Sequence, residues 1–239
     1  MLIGTWQTIP HPMVTEILTN EMDFCILDME HSSFSLQDIR NCINAKANTD
    51  ALVMVRAPSL DPVMIQRIDE QKPDAILVPG ISTPQMFIDA LYSTSIHYTK
   101  GVSPYTPLNA YGMTSPQHTP STPVYPMIEH IDMIDGGVLL ASEIAKIMGF
   151  SFEAQVVYVG IYDLSRSMNI PGQLDNLELL NKMESFAKEL KGFHIRPACL
   201  VKSAEGVALF EGMGYEILAW EADCKMLYDS TSRIMDWIQ

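Results

Sequence analysis

FCILDMEHSSFSLQDIRNCINAKANTDALVMVRA, residues 24–57, carries the reading of the fold. Its first run, 24–29, is apolar on consecutive residues, as a parallel strand covered on both faces tends to be. Leu36, Ile39 and Ile43 then recur at three- and four-residue steps, which predicts a helix over 36–47. A second apolar run, 51–57, follows at once. Strand, helix and strand in that order make one βα repeat feeding the next strand.

The same rhythm extends in both directions. Strands are predicted at 3–6, 24–29, 51–57, 75–79, 124–129, 156–163, 196–201 and 216–222, and helices at 12–20, 36–47, 62–71, 84–93, 142–148, 176–191 and 204–213. Eight strands alternating with helices in 239 residues predict an α/β fold, the (β/α)8 TIM barrel, as one domain over 1–239. A doubly wound open sheet competes on strand count, but no Gly-rich phosphate turn follows the first strand. One stretch breaks the pattern. Residues 97–123 hold prolines at 104, 107, 116, 120 and 123, which exclude a regular helix or central strand and suggest an ordered lid or subunit contact that reshapes the pocket.

Composition narrows the function. Fifteen Lys plus Arg stand against 29 Asp plus Glu, a net charge of −14. So acidic a surface argues against nucleic acid or an anionic membrane as partner, yet permits an anionic small substrate where one Arg or a metal reverses the sign locally. Cys25, Cys42, Cys199 and Cys224 form no CxxC pair, which fits a reduced, cytoplasmic chain. The start, Met1-Leu2-Ile3-Gly4-Thr5-Trp6, has no basic region before a long apolar run, so no signal peptide is expected, and no apolar run is long enough to span a bilayer.

Polar residues at the C-terminal ends of barrel strands face the active-site mouth. The second strand runs into Asp28-Met29-Glu30-His31, the third ends at Arg56, the fifth at Glu129 and the sixth at Asp163. Glu129 and Asp163 are 163 − 129 = 34 residues apart, about one βα repeat, so neighbouring strand ends would bring them together. Two adjacent carboxylates repel unless one is protonated or a cation lies between them, and an oxygen-rich pair suits Mg2+ or Mn2+. Ordinary helix capping or pairing with Arg is the competing reading. Asp28 and His31, three apart, could set a carboxylate to orient an imidazole for acid/base work. Arg56 needs an anionic partner if buried: a substrate oxyanion, Asp28 or Glu30. His11, His97, His118, His130 and His194 show no metal-ligand spacing. Lys202, after an apolar run, occupies a place where a Schiff-base lysine could stand, though a solvated charge is the plainer reading.

At these residues the sequence resembles the HpcH/HpaI aldolase family. The matching blocks are Gly4-Thr5-Trp6, DFCILDMEHSSFS at 23–35, VRAPSLDPVMIQRIDE at 55–70, ILVPGISTPQ at 76–85, PMIEHID at 126–132, VYVGIYDLSRSMNIPGQ at 157–173 and GYEILAWEAD at 214–223. The resemblance implies a pyruvate-type barrel with its last helix exchanged between subunits. It implies a divalent metal (Mg2+ or Mn2+, with Co2+ or Zn2+ as substitutes) on Glu129 and Asp163, and Arg56 on the pyruvyl oxygen. Asp28 and His31 would be an acid/base dyad, with Gly160 and Tyr162 contacting substrate. The implied reaction is cleavage or formation of a 2-keto-3-deoxy acid through a pyruvate enolate, the partners being a 2-oxo acid and an aldehyde. Dimers assembling into hexamers are implied too, with 227–238 at an interface. Relatives often carry Gln where this chain has Met127 and an Arg-Gly where it has Val102-Ser103, and the Pro of their DLS block is Ile161 here. A related lyase acting on an acyl-CoA ester or oxaloacetate-like acid, and a catalytically silent barrel, stand as alternatives.

Overall fold

Eight parallel strands hydrogen-bond in sequence order, β8 returning to β1, and close a barrel. They are β1 (Leu2–Gln7), β2 (Phe24–Asp28), β3 (Leu52–Arg56), β4 (Ala75–Val78), β5 (Val124–Ile128), β6 (Val156–Val159), β7 (Arg196–Val201) and β8 (Ile217–Ala222). The computed structural model describes residues 1–94, 103–113, 122–136, 142 and 155–238. Within them run α1 (Pro12–Glu21), α2 (Leu36–Ala45), α3 (Pro62–Asp69), α4 (Pro84–Leu91), α5 (Ile131–Asp135), α6 (Ile161–Ser167), α7 (Leu177–Gly192), α8 (Ala204–Met213) and α9 (Asp223–Ile238). The predicted (β/α)8 TIM barrel is therefore the observed fold. No described helix is long and apolar enough to cross a membrane.

Local chemistry sets the helix starts. Ser35 and Asp38 form a reciprocal capping box at α2; Asp61 and Thr83 cap α3 and α4, each with proline in the first turn. The apolar side chains divide into two shells. Trp6, Phe24, Ile26, Met54, Met127 and Tyr158 fill the lumen. Cys25, Leu27, Val53, Val55 and Ile76 point outward against Ile39, Ile65 and Phe186 of the helices. Strands buried on both faces explain the unbroken apolar runs in the sequence.

The barrel closes where the first strand meets the last. Thr5 donates to the Trp220 carbonyl at 2.7 Å, and the register shifts between Gly4 and Trp6. Just beyond, the buried Asp223 accepts from the Thr8 amide (2.9 Å), the Thr8 hydroxyl (2.7 Å) and the Ile9 amide (3.0 Å).

Two expectations need correction. The sixth strand stops at Val159 instead of continuing to Asp163; Gly160 caps α6, and Asp163 lies in that helix's first turn, where its negative charge suits the helix dipole. The proline-rich stretch is not a lid over the strand ends in its described part. It connects α4 to β5, and Leu108 donates to the Glu70 carbonyl (3.3 Å) while Tyr111 accepts from Arg40 (3.2 Å). Glu70 ends α3, which runs back toward the N-terminal ends of the strands, so 103–113 packs on the face opposite the mouth. His97, Val102, His118, nearly all of the helix predicted at 142–148 and the stretch 149–153 lie outside the described residues.

Gly4 pairs with Phe24 on one side and Ala219 on the other, and a Cβ there would overlap the Phe24 carbonyl and ring. Gly4→Ala is expected to destabilise the barrel by about 1–3 kcal/mol. A thermal melt should show the midpoint falling by roughly 2–4 °C per kcal/mol for a chain of this size.

Candidate active site

Asp28 and Arg56 are register partners at the C-terminal ends of β2 and β3. The guanidinium grips the carboxylate at two points, Nε to Oδ1 at 2.9 Å and Nη2 to Oδ2 at 2.6 Å. Its remaining nitrogen, Nη1, lies 2.9 Å from Glu30 Oε2, an ion pair without aligned hydrogen-bond geometry. Both Asp28 and Arg56 are buried, and the Trp6 ring lies under the guanidinium, 4.6 Å from centroid to Cζ. Trp6 is itself held edge-on against Tyr158, its Nε1 donating to the phenol at 3.0 Å. Burial pulls the Arg56 pKa down, but Asp28, Glu30 and Glu129 outweigh it and hold the group above its ordinary value.

Glu129 follows β5 directly. Its Oε2 accepts from the Gly80 amide at 2.7 Å, a donor presented by a left-handed turn (φ +68°) after β4. Its chain leans across Gly160, where a Cβ would stand 2.7 Å from Cγ and 3.1 Å from Oε1. Only glycine admits that approach. Gly160 also donates to the Ile128 carbonyl at 2.9 Å, so the start of α6 is tied to the end of β5 and Asp163 stands three residues beyond Gly160.

Burial pushes the Glu129 carboxyl up from its ordinary value; Glu30 and Asp163 push further, against the pull of the Gly80 amide and Arg56. Burial likewise raises Glu30, with Arg56 and His31 opposing it and Asp28 and Asp163 reinforcing it. Four acidic side chains, Asp28, Glu30, Glu129 and Asp163, thus share one field with a single guanidinium. Among the described residues no group of three or more His, Cys, Asp or Glu is arranged as a ready metal cage. The donor set nonetheless fits a hard dication: Glu129 has one oxygen fixed and the other directed past Gly160, and the local excess of negative charge favours a cation.

The predicted residues gather at one end of the barrel, with one change of partner. Asp28 reaches His31 through the backbone amide (3.2 Å), and also the Glu30 amide (2.9 Å); its oxygens otherwise serve Arg56. The contact inferred between the Asp28 carboxylate and the His31 ring is therefore replaced by an amide contact, and the imidazole is exposed on the rim. Tyr162, 44% exposed, lies under Lys202, whose Nζ is 4.5 Å from the ring centroid. Lys202 is exposed, without the desolvation that an amine nucleophile needs. Sequence reasoning passed over Trp6 and Gly80 and gave Glu30 only as a counter-ion. The VPG turn ending at Gly80 was the available signal for the second.

Charged residues gathered at the C-terminal strand ends of a closed barrel stand where barrel enzymes carry their active sites. The chain belongs to the HpcH/HpaI aldolase/citrate lyase family, whose model matches residues 4–230. A pyruvate aldolase of Rhizobium etli is 27% identical over 199 residues, covering 79% of this chain and 74% of its own. A 5-keto-4-deoxy-D-glucarate aldolase of Citrobacter koseri is 23% identical over 238 residues, covering 98% and 90%. Among solved structures, a family member from Burkholderia cenocepacia superposes with a TM-score of 0.88 at 19% identity, covering 99% of this chain and 94% of that one. The protein is an aldolase-type lyase.

Removing the guanidinium strands Asp28 and Glu30 without a counter-charge. Arg56→Met is expected to cost about 3–5 kcal/mol in chemical denaturation, and Asp28→Asn added to it should return part of that loss.

Proposed function

We propose that the protein is a divalent-cation-dependent aldolase that cleaves or forms a 2-keto-3-deoxy acid by way of the pyruvate enolate. The observation that carries this reading is the rim of four carboxylates around one buried guanidinium, with Glu129 seated over Gly160 beside the turn that bears Asp163. Relatives bearing the names pyruvate aldolase and 5-keto-4-deoxy-D-glucarate aldolase support the substrate class.

Glu129 and Asp163 would hold the cation: Mg2+ or Mn2+ for an all-oxygen donor set, with Co2+ or Zn2+ as substitutes. When bound, it supplies Lewis acidity toward the carboxylate and keto oxygens of a 2-oxo acid. Arg56, clamped by Asp28 and backed by Trp6, offers fixed positive charge to the keto oxygen as that oxygen turns negative. Gly160 and Tyr162 border the same space. His31, free at the rim, takes the proton of the C4 hydroxyl. Breaking the C3–C4 bond then frees the aldehyde and leaves the electron pair on the pyruvyl fragment, which becomes pyruvate on protonation at C3. The four cysteines are free thiols, three of them buried, which supports a reducing cytoplasmic setting.

The same reading assigns α9 to a subunit interface. Of its sixteen residues only Asp223 is buried, while Leu227, Ile234, Met235, Trp237 and Ile238 are each exposed by 49% or more. An amphipathic helix that leaves its apolar face off its own barrel fits exchange between two protomers and dimers building toward hexamers.

Release of pyruvate from keto-deoxy acids should require Mn2+ or Mg2+, and Glu129→Gln or His31→Ala should lower turnover at least ~10²-fold. Mn2+ at a hundred times its dissociation constant should stabilise the wild type by about 2.7 kcal/mol and Glu129→Gln hardly at all. Pyruvate release unchanged by Glu129→Gln, or absent from every keto-deoxy acid tried with either cation, would refute the assignment. In size-exclusion chromatography the wild type should elute as an oligomer and Ile234→Asp/Trp237→Asp as a smaller species.

A further inference from the structure

The alternation of β7 places Lys202 at the mouth. Ala198 faces the lumen and Leu200 packs partly against it, so Lys202, two residues further, continues that face just past the last hydrogen-bonded residue, Val201. In a ring of eight strands β7 lies opposite β3, so Lys202 and Arg56 stand across the opening from each other, with Glu129 and Asp163 on the arc between them. The two cations differ in their partners. Arg56 is neutralised by Asp28 and Glu30, whereas Lys202 has no carboxylate partner among the described residues and rests on the face of Tyr162. In a chain of net charge −14, an ammonium with no carboxylate partner among the described residues, at the mouth of an acidic site, is a marked local reversal of sign.

We propose that Lys202, steadied by Tyr162, selects aldehydes that carry an anionic group at the end remote from the carbonyl. The inference rests on the aldolase reading above. With the 2-oxo acid end of a substrate held near Arg56, Glu129 and Asp163, the aldehyde half extends toward β7. A terminal carboxylate or phosphate there meets the ammonium, and a charge-assisted hydrogen bond is stronger than the contact with an exposed aromatic face that it replaces. Lysine suits either anion, because it acts as a point charge on a flexible stem rather than as a planar fork. Tyr162 keeps that stem over the mouth.

The test is aldol addition of pyruvate, with Mn2+ present, to succinic semialdehyde, glyceraldehyde 3-phosphate and two uncharged aldehydes, propanal and glyceraldehyde. The wild type should favour at least one anionic aldehyde over its uncharged counterpart in kcat/KM. Lys202→Met should reduce that ratio about fivefold or more, chiefly through KM, as loss of one charge-assisted hydrogen bond at a half-exposed site would. Lys202→Arg should retain most of it. Loss confined to the semialdehyde assigns a carboxylate end, and loss confined to the phosphate assigns a phosphate end. An unaltered ratio in Lys202→Met, or a wild type indifferent to charge, overturns the inference. Exchange of the pyruvate methyl protons with D2O, followed by NMR in the wild type, separates the two failures: exchange without charge selection removes only the role of Lys202, and absence of both exchange and addition removes the aldolase reading with it.

Discussion

A guanidinium taken out of water at the top of a β-barrel must be met by negative charge, and at Arg56 it is met from two directions. Asp28 binds it side-on through two hydrogen bonds, and Glu30 covers the third nitrogen. The pairing is a property of the sheet: Asp28 and Arg56 face each other in the β2–β3 register, so the hydrogen bonds that build the barrel also assemble the charge pair. A slip of one residue would turn either side chain out of the lumen and leave both unpaired. The Trp6–Tyr158 pair beneath supplies a floor of fixed shape, and Tyr158 stays neutral because burial pushes its phenol far up.

That pair leaves the rim with more acid than base. Glu129 and Asp163 are brought toward each other by the shortest means available, a strand end and the first turn of the next helix joined through a residue that has no side chain. Gly160 is the enabling element, since any larger residue would displace Glu129 from the Gly80 amide. Burial first, and the neighbouring Glu30 and Asp163 after it, raise the Glu129 carboxyl, and a dication beside it would relieve both.

Much of this was legible beforehand, for identifiable reasons. Parallel strands wrapped on both faces are apolar throughout, so all eight stood out as runs, and the residues ending them pointed to the mouth. Asp163 was taken for a strand end because Ile161 and Tyr162 are β-type residues; they instead open a short helix whose Ile161 packs into the core. The helix 131–135 was missed because five residues carry too little periodicity to register. The i, i+3 spacing of Asp28 and His31 correctly suggested proximity but could not say that the backbone amide, not the ring, would take the bond. The proline-rich stretch was read as a lid or a subunit contact; its described part, 103–113, packs away from the mouth, because proline content reports irregularity and nothing about which side of the barrel the chain is on. Glu30 was offered as a partner for Arg56 and is one, but its place in the field of Glu129 needed the closed barrel to be seen.

The Asp223 carboxylate ties together parts of the chain 215 residues apart, holding the turn after β1 to the start of α9. A growing polypeptide lacks that tie until the 215 residues that separate Thr8 from Asp223 have been made. The first strand therefore waits with one edge exposed until β8 has been made, and cyclisation of the sheet must bring together segments far apart in sequence.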